Sequence, residues 1–173
     1  MVEPNYVLKL VLLGEAAVGK TSLVYRFVQD TFRDSYKSTL GVNLLKKDLR
    51  LDNWGEISAQ IWDLGGQESF RSLRKLYLEG ANGALVIYDV TNRKTFEKLD
   101  DWLKSFTEAR GEQPLLLIGN KADLKGKIEI EEKEGKDYAE KNNMAFLLTS
   151  AKTGMNVEDA FKDLIENILK KIA

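Results

Sequence analysis

Residues 14–21 read Gly-Glu-Ala-Ala-Val-Gly-Lys-Thr, and they directly follow an apolar run at 6–13. This is the pattern G-x-x-x-x-G-K-[ST], placed between a segment typical of a strand and one typical of a helix. Glycine at both ends lets the backbone N–H groups face one anion, and the dipole of a helix beginning at Lys20 adds to that attraction. Lys20 would then reach the β- and γ-phosphates of a nucleotide, and the Thr21 hydroxyl would coordinate magnesium. The sequence therefore predicts a site for a nucleoside phosphate. A glycine-bounded turn that only caps a helix is the alternative, and the flanking strand disfavours it.

The composition limits the chemistry of that site. The 173 residues are predicted to form one domain over 1–173, long enough to bury a substantial core. Twenty-six basic and 27 acidic side chains give a net charge of −1, so no basic surface predicts nucleic acid as a partner. The chain has no histidine and no cysteine, which excludes disulfides, thiolate nucleophiles, imidazole bases and the usual zinc ligands. Carboxylates, amides, hydroxyls, lysine, arginine, magnesium and water remain.

The ends and the hydropathy of the chain predict a cytoplasmic location. The start, Met1-Val-Glu-Pro, is neither a signal peptide nor a myristoylation site, and no apolar run is long enough to cross a membrane. No cysteine near the end could carry a prenyl group, so we expect no membrane anchor in this chain. A lipidated tail beyond this sequence would place the protein at a membrane surface instead.

Apolar runs alternate with helical patterns, which predicts an α/β fold with a mostly parallel sheet covered on both faces. Turn-forming residues at 52–55 predict that the second and third strands form an antiparallel hairpin. The last helix carries an apolar face at helical spacing, and Asn156 is its predicted N-cap. The predicted strands are 6–13, 43–51, 56–62, 83–89, 114–119 and 145–149. The predicted helices are 20–29, 69–79, 93–110, 131–142 and 156–171.

Three residues follow the third predicted strand at the edge where ligands of α/β sheets bind. Asp63 ends that strand beside the phosphate loop, where its carboxylate would hold the magnesium shell through a water. A strand-end aspartate alone is usually a turn or cap residue, and the neighbouring phosphate loop favours the metal. Gly66 would let its N–H approach the γ-phosphate. Gln67 carries an amide donor and a carbonyl acceptor, which suit it to align an attacking water.

The segment Asn120-Lys-Ala-Asp123 ends another apolar strand and is predicted to select the base. Guanine presents two donors on one edge, N1–H and N2–H₂, and one carboxylate accepts from both, which places Asp123 there. Adenine offers no such pair. The stem of Lys121 would lie across the purine, Asn120 would tie this loop to the phosphate loop, and the Ala151 N–H would reach the guanine O6. Alone, this tetrapeptide is commonly an Asx turn; its distance from the phosphate loop favours the binding site.

Together these residues resemble the Ras superfamily of small GTPases over nearly the whole chain, and segments 36–42, 62–63 and 85–91 are similar to the Rab branch. The resemblance implies the P-loop NTPase fold, with a six-stranded mostly parallel sheet, one antiparallel strand and five helices. It implies a Mg²⁺-dependent molecular switch in signal transduction or vesicle trafficking that binds GTP and GDP and slowly hydrolyses GTP. An exchange factor, a GTPase-activating protein and effectors would bind a monomer through switch loops at 32–42 and 63–77.

The resemblance also assigns residues to roles. Phe32 would lie edge-on against guanine, while Thr39 and Gly66 would contact the γ-phosphate. The catalytic residues would be Gln67, Lys20 and Gly66, and the magnesium ligands Thr21, Thr39 and Asp63. The nucleotide-binding residues would be Gly14, Glu15, Ala16, Ala17, Val18, Gly19, Lys20, Thr21, Ser22, Phe32, Tyr36, Thr39, Gly66, Asn120, Lys121, Asp123, Leu124, Ser150, Ala151 and Lys152.

Three positions depart from the family pattern. Ala16 stands where Ras proteins have glycine and Rabs often have serine, and its methyl group is expected to slow hydrolysis or crowd a partner's arginine. Leu64-Gly65 replaces the usual Thr-Ala, as in the Arf branch, which predicts a looser second switch. Leu44 replaces a phenylalanine that is common in Rabs, so Rab partners do not carry over directly.

Other interpretations stay open from sequence alone. A GTP-binding scaffold with negligible hydrolysis is favoured by Ala16 and disfavoured by Gln67 and Thr39. An ATP-using phosphate-loop enzyme, such as a nucleoside kinase, is disfavoured by Asp123. Arg33 is either a solvated loop charge or an arginine that acts in cis. The candidate partner-binding side chains are Leu40, Val42, Leu44, Trp62 and Tyr77.

Overall fold

A six-stranded sheet forms the centre of the protein, and the computed structural model describes residues 3–30, 42–64 and 74–173. Across the sheet the strands lie in the order β2-β3-β1-β4-β5-β6. β2 pairs with β3 in the antiparallel sense, and every other neighbouring pair is parallel. The predicted sheet and hairpin are therefore confirmed. The strands are β1 (Tyr6–Leu13), β2 (Val42–Leu51), β3 (Gly55–Leu64), β4 (Gly83–Asp89), β5 (Leu115–Asn120) and β6 (Ala145–Leu148).

Helical segments flank this sheet, and the structure divides one that the sequence predicts as continuous. The segment predicted at 93–110 breaks at Lys98, whose ψ of −3° interrupts the helical hydrogen bonding. The part of segment 69–79 that is described is a single short helix. Within the described ranges no helix combines the length and apolar character needed to cross a membrane. The helices are α1 (Lys20–Gln29), α2 (Arg74–Leu78), α3 (Arg93–Glu97), α4 (Leu99–Arg110), α5 (Glu132–Lys141) and α6 (Val157–Ile172), with a 3₁₀ turn at Lys125–Lys127.

The core consists of two apolar layers, one on each face of the sheet. On one face α1 and α6 pack together, and the rings of Phe27 and Phe161 stack with centroids 4.2 Å apart. The predicted apolar face of α6 is confirmed, because all of its members are buried. On the other face Trp102 and Phe106 of α4 are buried against β1, β4 and β5. Covering both faces leaves the carboxyl ends of the strands as the edge where loops meet.

Asn156 occupies the predicted N-cap position of α6, but the capping role predicted for its side chain is wrong. Its backbone is left-handed, with φ of 58°, and its side chain makes no cap hydrogen bond. The amide Nδ2 instead donates to the carbonyl of Leu148 at 2.9 Å. The residue therefore joins the start of α6 to the end of β6.

A tight contact between β4 and α5 leads to a stability prediction. The hydroxyl of Tyr88 is buried without a hydrogen-bond partner among the described residues. A Cβ at Gly135 would lie 2.3 Å from that hydroxyl and 2.8 Å from the ring of Phe146. We expect Gly135→Ala to lower the free energy of unfolding by about 2 kcal/mol through overpacking, although alanine favours helix.

Tyr88→Phe is the companion variant to Gly135→Ala. It removes a hydroxyl that loses its hydrogen bonds to water when the protein folds and gains none from the described residues. We expect Tyr88→Phe to be neutral or stabilising by up to about 1 kcal/mol, and to reduce the cost of Gly135→Ala in the double variant. Urea unfolding of the four proteins measures this coupling. An equal cost of Gly135→Ala in both backgrounds would contradict it.

Candidate nucleotide-binding site

The loop that joins β1 to α1 is built around two glycines that no other residue could replace without strain. Gly14 has φ of 153° and Gly19 has φ of 99°. A Cβ at Gly14 would lie 2.4 Å from the carbonyl oxygen of Ile87, and one at Gly19 would lie 2.3 Å from Nδ2 of Asn120. The loop thus packs directly against the ends of β4 and β5. This is the close backbone approach that a phosphate-binding loop requires.

Lys20 begins α1 and turns its ammonium back onto this loop. Its Nζ donates to the carbonyls of Gly14 at 2.8 Å and Glu15 at 2.9 Å. Burial lowers the pKa of Lys20 to about 8, while the nearby carboxylates of Asp63 and Glu15 act in the opposite direction. With the residues that the structure describes, this ammonium forms hydrogen bonds to carbonyls and no ion pair. A bound anion would supply the missing negative charge.

Thr21 and Asp63 meet beside Lys20. The Thr21 hydroxyl donates to Oδ2 of Asp63, which is fully buried at the end of β3. The pair is brought together because β1 and β3 are parallel neighbours, with Leu12 opposite Asp63. A hydroxyl and a carboxylate are the oxygen ligands that Mg²⁺ prefers. The residues present therefore fit the implied metal.

The loop after β5 is tied to the phosphate loop. Asn120 donates from Nδ2 to the carbonyl of Val18 at 2.9 Å and accepts from the Thr149 hydroxyl at 2.9 Å. Lys121, with a left-handed φ of 68°, donates to the carbonyl of Ala17 at 2.8 Å and pairs with Asp89 at 3.0 Å. The predicted link from Asn120 to the phosphate loop is confirmed.

The loop after β6 completes the edge. The Ser150 hydroxyl donates to Oδ1 of Asp123 at 2.8 Å, and the Ala122 N–H donates to the Thr149 carbonyl at 3.0 Å. These bonds bring Asp123 next to the 150–152 segment, although Asp123 and Ser150 are 27 residues apart in the sequence. The remaining predicted residues of the described part lie in the same loops or in the first turn of α1: Ala16, Ser22, Leu124, Ala151 and Lys152. Phe32, Arg33, Tyr36, Thr39, Leu40, Gly66 and Gln67 lie outside the described residues.

The site contains a side-chain cluster that the sequence did not predict. Glu15 accepts a hydrogen bond from the Trp102 indole N–H at 2.7 Å. The guanidinium of Arg74 lies 3.5 Å from the centre of the Trp102 ring and pairs with Asp101 at 2.9 Å. Trp102 is buried in the core, and nothing in the sequence indicates that its one polar atom reaches the phosphate loop. Asp89, which pairs with Lys121, and Arg26, whose contacts are described below, were missed for the same reason.

The predicted partner-binding cluster is only partly on the surface. Leu44 lies opposite Trp62 in the hairpin and is 51% exposed. Trp62 is half-buried, with the Lys9 ammonium 4.2 Å from its ring centre. Tyr77 is 3% exposed, and its hydroxyl bonds to the backbone of β1 and β3. The Tyr77 ring packs edge-on against Trp62 and offers little surface, so its contact with partners stays a prediction.

The phosphate loop, the Thr21–Asp63 pair and the polar loops after β5 and β6 define an α/β nucleotide-binding protein of the P-loop class. The Ras family model matches residues 9–170, so the chain belongs to the Ras family. It is a GTP-binding molecular switch with GTPase activity, of the Rab branch.

Several Rab-named proteins are similar to nearly the whole chain. The Ras-related protein RABA6b of Arabidopsis thaliana is 45% identical over 170 residues, covering 96% of this chain and 72% of that protein. RABA1b of the same plant is 41% identical over 167 residues, covering 96% and 77%. The Ras-related protein Rab11B of Nicotiana tabacum is 40% identical over 169 residues, covering 97% and 77%.

Proposed function

We propose that the described loops form the guanine-nucleotide site of this switch, with Mg²⁺ as its cofactor and slow intrinsic hydrolysis. One observation carries the proposal. A buried lysine, a hydroxyl–carboxylate pair and a serine-supported aspartate all lie along one edge of the sheet. The order of these three groups along the edge matches the order of the γ-phosphate, the magnesium ion and the base in a bound nucleotide.

At the phosphate end, the N–H groups of residues 14–21 and the Lys20 ammonium bind the phosphate oxygens. Thr21 and Asp63 would hold Mg²⁺, and Thr39 from the first switch would join them as a ligand. When bound, the ion supplies positive charge that polarises the phosphate oxygens. Lys20 adds its charge at the same oxygens without an ion-pair partner to neutralise it among the described residues. Catalysis at this end rests on positioning and electrostatics.

At the base end, Asp123 accepts from N1–H and N2–H₂ of guanine, and the Ala151 N–H donates to O6. The hydrogen bond from Ser150 keeps the Asp123 carboxylate in place. Asn120 and Lys121 transmit the position of this loop to the phosphate loop through the carbonyls of Val18 and Ala17. Recognition of the base and of the phosphates is thereby coupled.

The switch depends on two contacts to the γ-phosphate, from Thr39 and Gly66, which hold segments 32–42 and 63–77 and release them after hydrolysis. Exchange factors, activating proteins and effectors bind the monomeric protein and distinguish its GTP-bound form from its GDP-bound form by the conformation of these segments. In this class of GTPase, for which Ras is the reference case, a partner's arginine multiplies the rate of hydrolysis by roughly 10³–10⁵. The Rab names support a role in vesicle trafficking, with the protein at the surface of a membrane.

Gln67 aligns the water that attacks the γ-phosphorus, and its replacement tests the hydrolytic role. We expect Gln67→Leu to lower the single-turnover rate of GTP hydrolysis by about tenfold or more, because a leucine cannot orient water. Gln60→Leu is the matched control, since Gln60 lies in β3 away from the strand end. Single-turnover rates that are equal for wild type and Gln67→Leu would remove Gln67 from the mechanism.

A further inference from the structure

We propose that Arg26 is a positioning residue for guanine recognition: its guanidinium fixes the 150–152 loop so that the Ala151 N–H is held ready for the guanine O6. This inference rests on the proposed function of the site. Arg26 lies in the last turn of α1, 125 residues before Ala151, and belongs to none of the motifs that predicted the site.

Arg26 reaches the loop with two donors. Its Nε donates to the carbonyl of Ala151 at 2.8 Å, and its Nη2 donates to the carbonyl of Lys152 at 2.6 Å. The side chain is 17% exposed and passes under the next turn, where a Cβ at Gly154 would lie 3.7 Å from the Arg26 Cδ. Its ion pair with Asp30 is looser, at 3.5 Å, and Asp30 is 93% exposed. The two carbonyls are therefore its main partners.

Two sets of bonds hold the backbone on either side of the Ala151 Cα, one to the Ser150 carbonyl and one from Arg26 to the Ala151 carbonyl. The carbonyl of Ser150 accepts from the Gly154 N–H at 2.8 Å. In a trans peptide the N–H of the next residue points the opposite way, so the Ala151 N–H faces away from that bond. Arg26 fixes the following carbonyl, that of Ala151. Among the residues that the structure describes, none accepts from the Ala151 N–H.

Arginine is the residue type best suited to hold two successive carbonyls of one loop. A planar guanidinium offers donors in a fixed fork, and two successive carbonyls of one loop accept from it. An ammonium is a compact point charge and does not hold both carbonyls in one geometry. Because α1 begins at Lys20, the same helix that carries the phosphate-binding lysine also fixes the base-binding loop.

The test measures dissociation constants for GDP, for 6-thioguanosine diphosphate and for ADP. The thio analogue keeps N1–H and N2–H₂ but replaces O6 with sulfur, a weak acceptor. We expect Arg26→Met to weaken GDP binding by about tenfold, the loss of one well-placed hydrogen bond, and to weaken binding of the thio analogue by less than about threefold. Arg26→Lys should give an intermediate effect on GDP.

Two controls separate positioning from folding or charge. Asp30→Ala removes the ion pair but leaves both carbonyl bonds, and Arg50→Met removes an exposed arginine at the far end of the hairpin; both should bind GDP as wild type does. Equal losses for GDP and the thio analogue in Arg26→Met and Arg26→Lys would reduce Arg26 to a structural role and overturn the inference. A wild type without preference for GDP over ADP would instead overturn the proposed site itself.

Discussion

Gly19→Ala should lower the affinity of the protein for GDP by about 10²–10⁴-fold. The backbone at Gly19 is left-handed, and holding an alanine there costs roughly 1–3 kcal/mol. The new methyl group would also lie 2.3 Å from Nδ2 of Asn120. Moving that amide breaks its bond to the Val18 carbonyl, at a further cost of about 1–3 kcal/mol for a buried group. Calorimetric titration of GDP into the nucleotide-free variant measures the loss.

Gly80→Ala is the matched control for this prediction. Gly80 also has a left-handed φ, 77°, but a Cβ there would meet nothing within 4 Å. We expect this variant to lose roughly 1 kcal/mol of stability through backbone strain alone and to bind GDP as the wild type does. Binding of GDP by Gly19→Ala at the wild-type affinity would show that the phosphate loop and Asn120 are not in contact as described.

The sequence predicted the parts of this protein that depend on local patterns. Apolar runs place all six strands, and the signal is strongest for β4 and β5, whose residues are buried on both faces of the sheet. The phosphate loop was predicted because its glycines are required by backbone geometry that the structure shows, with φ values of 153° and 99°. These features are encoded within a few residues of where they act.

Features that depend on the backbone or on distant side chains were predicted poorly. Asn156 suits an N-cap by residue type, yet its left-handed backbone directs the amide to Leu148. The family resemblance places Tyr77 in a partner-binding cluster, yet its hydroxyl is buried among backbone groups of two strands.

The contacts of Arg26 and of Trp102 join elements about a hundred residues apart, 125 for Arg26 with Ala151 and 87 for Glu15 with Trp102. No spacing rule reports which side chain on a helix extends to a loop of another element. The chemistry of a motif is therefore visible in the sequence, whereas the residues that hold the motif in place are visible only in the structure.

Replacing Asp123 by asparagine should change which base is bound. The carboxylate accepts from two guanine donors, and each hydrogen bond to a charged group contributes about 1.5–3 kcal/mol. Asparagine keeps one acceptor and gains N–H donors that face the N2–H₂ donors of guanine. We expect Asp123→Asn to weaken GDP binding by about 10²–10⁴-fold.

Xanthine provides the compensating partner, because it keeps N1–H and presents a carbonyl oxygen where guanine has its amino group. Asp123→Asn should therefore bind xanthosine diphosphate more tightly than GDP, reversing the wild-type order. Competition titrations with the two nucleotides measure the reversal, and Asp137→Asn, an exposed change of the same kind on α5, should leave the order unchanged. Ser150→Ala should weaken GDP binding severalfold without reversing the order, since it removes the hydroxyl that donates to the Asp123 carboxylate and accepts from the Thr153 N–H, but leaves the carboxylate itself in place. If Asp123→Asn still preferred GDP, the base would be selected by groups other than this carboxylate.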